Sequence, residues 1–343
     1  MVRFIFFSFI YLIGFSQSSA QTLGGNAVFN FLTQPNTAQQ SALGGLNISS
    51  MSNDVGMSFQ NPSLLRKEMD RQINTSINAF FAGITQFNLT TAYHLAAPKI
   101  NLGLGVQYLN YGTLTQTDAA GNILGNFKPN DYVIQVMASK QFSERFWLGS
   151  TAKFIQSNYG QYRAAGIAMD IGLSYFDEVN QLQVSVVAKN MGTQLSTYNL
   201  SGVKEELPFD VQAGISKKLK NAPFQFSLTA HNLHRLNIYY NDTTFNSSEG
   251  IANSNGLQKV AGHLVLSVQA FLSNQVELNM GYNFQRRQDL NLYGTISGLN
   301  GFTFGAGLLM NKIHFRYAAG FYQRNLFNQF SLNFNLVGKS ISK

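Results

Sequence analysis

The chain has no cysteine in its 343 residues, which excludes a disulfide framework and any thiolate metal site. Charge is scarce as well. Only 12% of residues are Asp, Glu, Lys or Arg, far below the roughly 25% usual in soluble domains. After the N-terminus no segment approaches the roughly 20 consecutive apolar residues that a membrane helix needs. What is present is 45% hydrophobic and 13% aromatic residues, with a mean hydropathy of only -0.06. A barrel with a lipid face and a polar lumen reconciles these values, because its two faces cancel in the average.

Residues 1–20 read as an export signal. Arg3 supplies the positive start, Phe4 to Phe15 the apolar middle, and Ser18-Ser19-Ala20 a small-residue cleavage site. Cleavage is expected before Gln21. The remaining alternatives are a secreted β-protein and an outer-membrane barrel.

Fourteen stretches of roughly ten residues alternate apolar and polar side chains, the period of a strand with lipid on one face and a polar lumen on the other. They are 71–81, 84–96, 99–111, 131–142, 145–157, 164–176, 181–192, 208–219, 223–235, 260–272, 275–288, 301–310, 312–321 and 328–337. Val276, Leu278, Met280, Tyr282 and Phe284 set against Glu277, Asn279, Gly281, Asn283 and Gln285 is a clear case. Short turns such as Ala97-Pro98 and Ser143-Glu144 carry turn-forming residues. The longer connections are 112–130, 158–163, 193–207, 236–259, 289–300 and 322–327, with Ala82-Gly83 the one short connection at their end. The expected fold is all-β: a 14-stranded antiparallel transmembrane β-barrel over 71–343, preceded by a short N-terminal helical and loop plug over 21–70, which does not alternate. Bacterial barrels keep short turns in the periplasm, so both termini are expected there and the long loops outside. Tyr93, Tyr108, Tyr111, Tyr132, Tyr175, Tyr282, Tyr317 and Tyr322 stand near strand ends, as an interfacial girdle would.

The formal net charge is +8. About half of the basic residues (Arg66, Lys67, Arg71, Lys99, Lys140, Arg145, Lys217, Lys218, Lys220, Lys312, Lys339 and Lys343) fall before the first strand, in short turns or at the C-terminus. That placement makes a basic rim facing anionic headgroups and argues against a nucleic-acid stripe.

The histidines His94, His231, His234, His263 and His314 show no metal-ligand spacing; each reads as a lumen or rim polar residue. His263 and Ser267, four apart on one strand face, are the only pair with hydrolase character, and no third partner stands out. Asp170, Lys189, Glu277 and Arg316 lie on polar strand faces and are expected to form a lumen network tying wall to plug, or to line a solute path. Gly103, Gly105, Gly305 and Gly307 occupy lumen positions, where they would admit a plug or open a channel. Arg286 and Arg287, at the outer end of strand eleven, could grip lipopolysaccharide phosphate or an acidic partner surface.

Several motifs together resemble the PorQ family, outer-membrane components of the type IX secretion system of Bacteroidetes within the wider FadL-like barrel group. They are Asn30-Phe31-Leu32, Ala42-Leu43-Gly44-Gly45, Gln60-Asn61-Pro62-Ser63-Leu64-Leu65, Gln107-Tyr108-Leu109-Asn110-Tyr111-Gly112 and Ala188-Lys189-Asn190-Met191-Gly192. Leu207-Pro208-Phe209-Asp210, Ala230-His231-Asn232-Leu233 and Gly281-Tyr282-Asn283-Phe284-Gln285-Arg286-Arg287-Gln288 complete the set. The resemblance implies fourteen strands and a non-enzymatic role without a cofactor. That role is to hold a PorZ-like surface protein in the attachment complex, beside a PorU-like sortase and a PorV-like barrel, where secreted cargo is processed and joined to anionic lipopolysaccharide. Partner contacts would then come from loops 112–130, 193–207, 236–259 and 289–300, with Lys204, Phe245, Arg286 and Arg287 as candidates. The alternative is a FadL-like passive transporter of hydrophobic solutes.

Overall fold

The computed structural model describes residues 27–198, 202–235, 238, 256–290, 298–322 and 325–336; the signal segment 1–20 lies outside them. Sixteen strands form among the described residues. They are β1 (Gln72–Ala79), β2 (Thr85–Leu95), β3 (Ile100–Asn110), β4 (Leu114–Thr117), β5 (Ile123–Phe127), β6 (Asn130–Ser143), β7 (Phe146–Tyr159), β8 (Tyr162–Asp177), β9 (Leu182–Ser196) and β10 (Asp210–Lys218). They continue as β11 (Phe224–Ala230), β12 (Leu264–Phe271), β13 (Val276–Asn283), β14 (Phe302–Leu309), β15 (Ile313–Tyr322) and β16 (Asn325–Asn335). Fourteen close into one antiparallel barrel, with β16 pairing β1 in register from Gln72↔Asn335 to Ala79↔Asn328. The other two, β4 and β5, make a separate hairpin within the 112–130 connection, where a loop without strands was expected.

The period-two pattern sorts the side chains. Inward positions on β6 such as Gln135 and Ser139 are fully buried, while outward Ile134 and Val136 are 43% and 55% exposed. Exposed Phe87, Leu104, Phe154, Ile171, Phe226, Leu278 and Phe304 continue that apolar surface around the wall. A band of that extent on a closed barrel is stable against lipid and not against water. Closure leaves the fourteen-stranded ring without a free first or last strand, so the backbone of the barrel strands is paired within the hydrocarbon.

Two connections expected to be long, 158–163 and 322–327, shrink to the links between β7 and β8 and between β15 and β16. Gly160 makes the first of these possible, with a φ of 64° that a side chain rarely tolerates. Conversely, three expected strands stop early at the long-loop end. The stretch 223–235 pairs as a strand only to Ala230, 260–272 begins as helix α2 (Gly256–Gly262), and 275–288 turns into helix α3 (Phe284–Asp289). Asn283 causes the last break, because its side chain accepts from the Arg286 N–H at 2.9 Å and caps the helix. The wall is consequently uneven. At about 3.3 Å per residue, β8 with 16 residues runs to about 53 Å and β11 with 7 to about 23 Å.

The segment ahead of β1 occupies the lumen. It has one short α-helix, α1 (Ala38–Ala42), and four single-turn 3-10 helices between Asn30 and Met69. Phe31 lies near the long-loop end beside Gln107 of β3. The chain doubles back at Gly44-Gly45 against Thr303 and Arg286, then descends to Leu65 beside Asn101 at the short-turn end. The first described residues lie at the long-loop end, where Val28 N–H donates to Glu206 O; the termini themselves lie outside the described residues.

Candidate functional site

A segment with so little regular structure leaves backbone groups without helical or ladder partners, and burying them unpaired costs free energy. The wall supplies what they need. Gln86 Nε2 donates to Pro35 O at 2.9 Å, Gln107 Nε2 to Phe31 O at 3.1 Å, Gln135 Nε2 to Phe59 O at 3.1 Å and Asn101 Nδ2 to Leu65 O at 3.2 Å. Thr303 Oγ1 donates to Ala42 O at 3.0 Å, and Asn283 Nδ2 to Gly44 O at 3.2 Å. The polar half of each strand's alternation thus serves to bind plug backbone.

An ion pair also fixes the plug to the wall. Arg316 Nη1 lies 2.5 Å from Asp54 Oδ2 of the plug, and its Nε lies 2.6 Å from Glu277 Oε1 of the wall. All three are nearly fully buried. Asp54 also accepts from Asn74 Nδ2 at 2.9 Å and from the Gly56 N–H at 2.9 Å, so its remaining lone pairs are held. The other two residues of the expected network sit apart. Asp170 pairs with Lys153 of β7 at 2.7 Å, while Lys189 donates to Gln60 of the plug. Lys153 and Asp54 are the members that the sequence reading missed. Strand parity could have found Lys153, which shares an inward face with Thr151 and Ile155.

The glycines resolve in favour of contact. A Cβ on Gly105 would meet the Phe59 ring, and one on Gly305 would meet Ala42. At Gly281 and Gly149 it would run into plug backbone at Leu43-Gly44 and Pro62-Ser63.

Other expected site residues are placed differently. Arg66 is not on the basic rim: it is buried under Trp147 and Phe176, 4.5 Å from the Phe176 centroid, and donates to Gln183 Oε1 at 2.6 Å. Burial draws its pKa down to about 10, so it stays charged at neutral pH. Arg286 folds back over the lumen mouth, its guanidinium beside Gly45 and above the Tyr322 and Phe327 rings, and Arg287 Nη1 donates to Gly298 O at 2.9 Å. Lys204 is exposed at the long-loop end, and Phe245 lies outside the described residues. His231 and His234 follow β11 and are not on a strand; the His231 carbonyl lies 2.8 Å from His263 Nδ1. Ser267 Oγ accepts from Asn47 of the plug at 3.5 Å. Tyr111, expected in the lipid girdle, turns inward and donates to Asp131 Oδ2 at 2.5 Å.

Among the described residues, cavities open at the long-loop end, two of which bear on function. The larger, about 870 Å³, is a polar vestibule between the plug and the low wall, lined by Lys189, Asp210, Gln212, His231, His234 and Arg286 among others. The smaller, about 440 Å³, is lined by Val28, Phe29, Phe31, Tyr111, Asp131, Tyr159, Tyr162, Tyr198 and Glu205.

No family model and no curated protein matches the chain. Among solved structures it is similar to the CymD monoaromatic hydrocarbon channel, at 12% identity over 89% of this chain and 97% of that one, with a TM-score of 0.50. The deltaS2 mutant of the TodX monoaromatic hydrocarbon channel gives 12% identity, 88% and 97% coverage and a TM-score of 0.50. A Pseudomonas aeruginosa FadL homologue gives 9% identity, 88% and 98% coverage and a TM-score of 0.47. At these identities the likeness is one of fold alone, a closed fourteen-stranded antiparallel barrel.

Proposed function

We propose that the chain is a plugged outer-membrane barrel that retains a PorZ-like surface protein at its long-loop end, within a type IX attachment complex that also holds a PorU-like sortase and a PorV-like barrel. The observation that carries this reading is the plug itself, bound to the wall from Phe31 to Leu65 by side chains that satisfy its backbone. A lumen so occupied suits an anchor. The resemblance of the ordered motifs to PorQ-type barrels is the ground for the partner, and the elements concentrated at the long-loop end (the β4–β5 hairpin, α2 and α3) offer a surface for it. Ile123 and Leu124 project from the hairpin at 74% and 62% exposure, the kind of apolar tip that a docked protein covers. In this reading the long loops face outward and lipopolysaccharide surrounds the rim.

Deleting 114–127 tests it. The hairpin shares no ladder with the barrel, so heat-modifiable migration should be unchanged while retention of the surface partner falls by about tenfold, equivalent to about 1.4 kcal/mol. Unchanged retention would remove the hairpin from the interface. Orientation is checked by cysteine labelling of intact cells: a thiol in place of Thr115 should react, and one in place of Lys218 should not.

A second reading, passive passage of small hydrophobic solutes, draws on the hydrocarbon channels of the same fold and on the aromatic lining of the smaller cavity. It expects solute uptake to fall in the full deletion strain while partner retention persists.

A further inference from the structure

The smaller cavity is built of two unlike parts. Tyr111 and Tyr159 both aim their hydroxyls at Asp131 Oδ2, at 2.5 and 3.2 Å, Ser157 donates to Oδ1, and Tyr198 OH lies 2.6 Å from Ser157 Oγ. With their hydroxyls held, the tyrosines stand as a continuous row, Tyr111 to Tyr159 at 5.6 Å between centroids and Tyr159 to Tyr198 at 5.8 Å. Phe29 and Phe31 of the plug close the other side, and half-exposed Tyr162 stands at the open rim with exposed Glu205.

The charge is one-sided. Asp131 is 3% exposed, yet no salt bridge reaches it among the described residues, and no Lys or Arg side chain lines the cavity. A buried carboxylate held only by hydroxyl donors is undercompensated, and an occupant bearing positive charge offsets that cost. Aromatic rings present their negative faces to the same kind of occupant. An acid would meet two carboxylates and no cation.

We propose that this cavity binds an organic ammonium group carried on an apolar stem. The stem packs along Phe29, Phe31 and the tyrosine row while the ammonium faces Asp131. A free arylalkyl amine and a lysine side chain on a docked protein share this chemistry, and ligand comparison separates the two sources. The proposal does not depend on the anchoring role.

The test is calorimetric titration of the full mature chain in detergent with 2-phenylethylammonium, 2-phenylethanol, phenylacetate and Nα-acetyl-lysine methylamide. The ammonium should bind about 30-fold more tightly than the alcohol, in keeping with a desolvated cation-π and ion-pair contribution of about 2 kcal/mol, and phenylacetate should not bind. Asp131→Asn should abolish the preference for the ammonium over the alcohol. Because Asp131 organises three hydroxyls and that variant could fail to fold, Tyr162→Ala and Glu205→Gln at the exposed rim provide a second measurement, each weakening ammonium binding several-fold. Acetyl-lysine methylamide binding as well as the aryl amine points to a docked lysine, and binding of the aryl amine alone to a free amine; either supports the site. Equal binding of alcohol and ammonium, binding of phenylacetate, or rim variants without effect would overturn it.

Discussion

Arg316→Ala is expected to destabilise the barrel by about 3–5 kcal/mol, because removing one partner of a buried ion pair leaves the others uncompensated. Two carboxylates, Asp54 and Glu277, lose the same cation at once, and neither has another charged partner among the described residues. The effect should appear in two measurements. Urea titration in detergent should show the midpoint falling, and planar-bilayer recording should show conductance rising as the plug loses its charged link to β15. Glu277→Gln leaves Arg316 paired with Asp54 and should cost much less. If Arg316→Ala kept the wild-type midpoint and stayed electrically silent, the triad would not be what holds the plug.

Gly281→Val should displace the plug by sterics alone. A Cβ at that position would collide with the backbone of Leu43 and Gly44, which cannot swing aside as a flexible side chain can. Overpacking typically costs about 1–3 kcal/mol; here the clash can also be relieved by moving the Gly44-Gly45 turn out of the lumen. Limited proteolysis should then cut within 40–50 while the ladder from β12 to β14 stays protected. Gly256→Val, where nothing lies within 4 Å, is the control and should behave as wild type. Protection of 40–50 in the Gly281 variant would show that the wall yields and the plug does not.

The wall was legible because period two is imposed on every residue of a strand with lipid on one side. Strand number and inward positions such as Asp170, Glu277 and Arg316 followed from parity. The plug was legible only as a lack of alternation. Its partner in the charged triad, Asp54, was invisible because a segment without a repeat gives no direction to a side chain. The long-loop end misled for a local reason: after Phe284 the run Gln285-Arg286-Arg287-Gln288 is wholly polar and carries no period for either element, and the Asn283 cap that decides for helix is a single residue. Tyr111 misled likewise, since a tyrosine at a strand end serves a lipid girdle or an inner hydrogen bond equally well, and only Asp131 across the ladder distinguishes them.

The course of the plug, in at the long-loop end and out through β1 at the short-turn end, makes the barrel a ring closed around its own thread. Such a segment cannot leave as a rigid body, because one end is the first strand of the ring. Tension applied at Ala27 would therefore unzip it in sequence. The aromatic contacts at Phe29 and Phe31 release first, then the contacts around Gly44-Gly45, then the Asp54–Arg316 pair, and last Leu65 and Arg66. Mechanical load from the long-loop side thus meets a staircase of separate latches, with the ring intact until the last has opened.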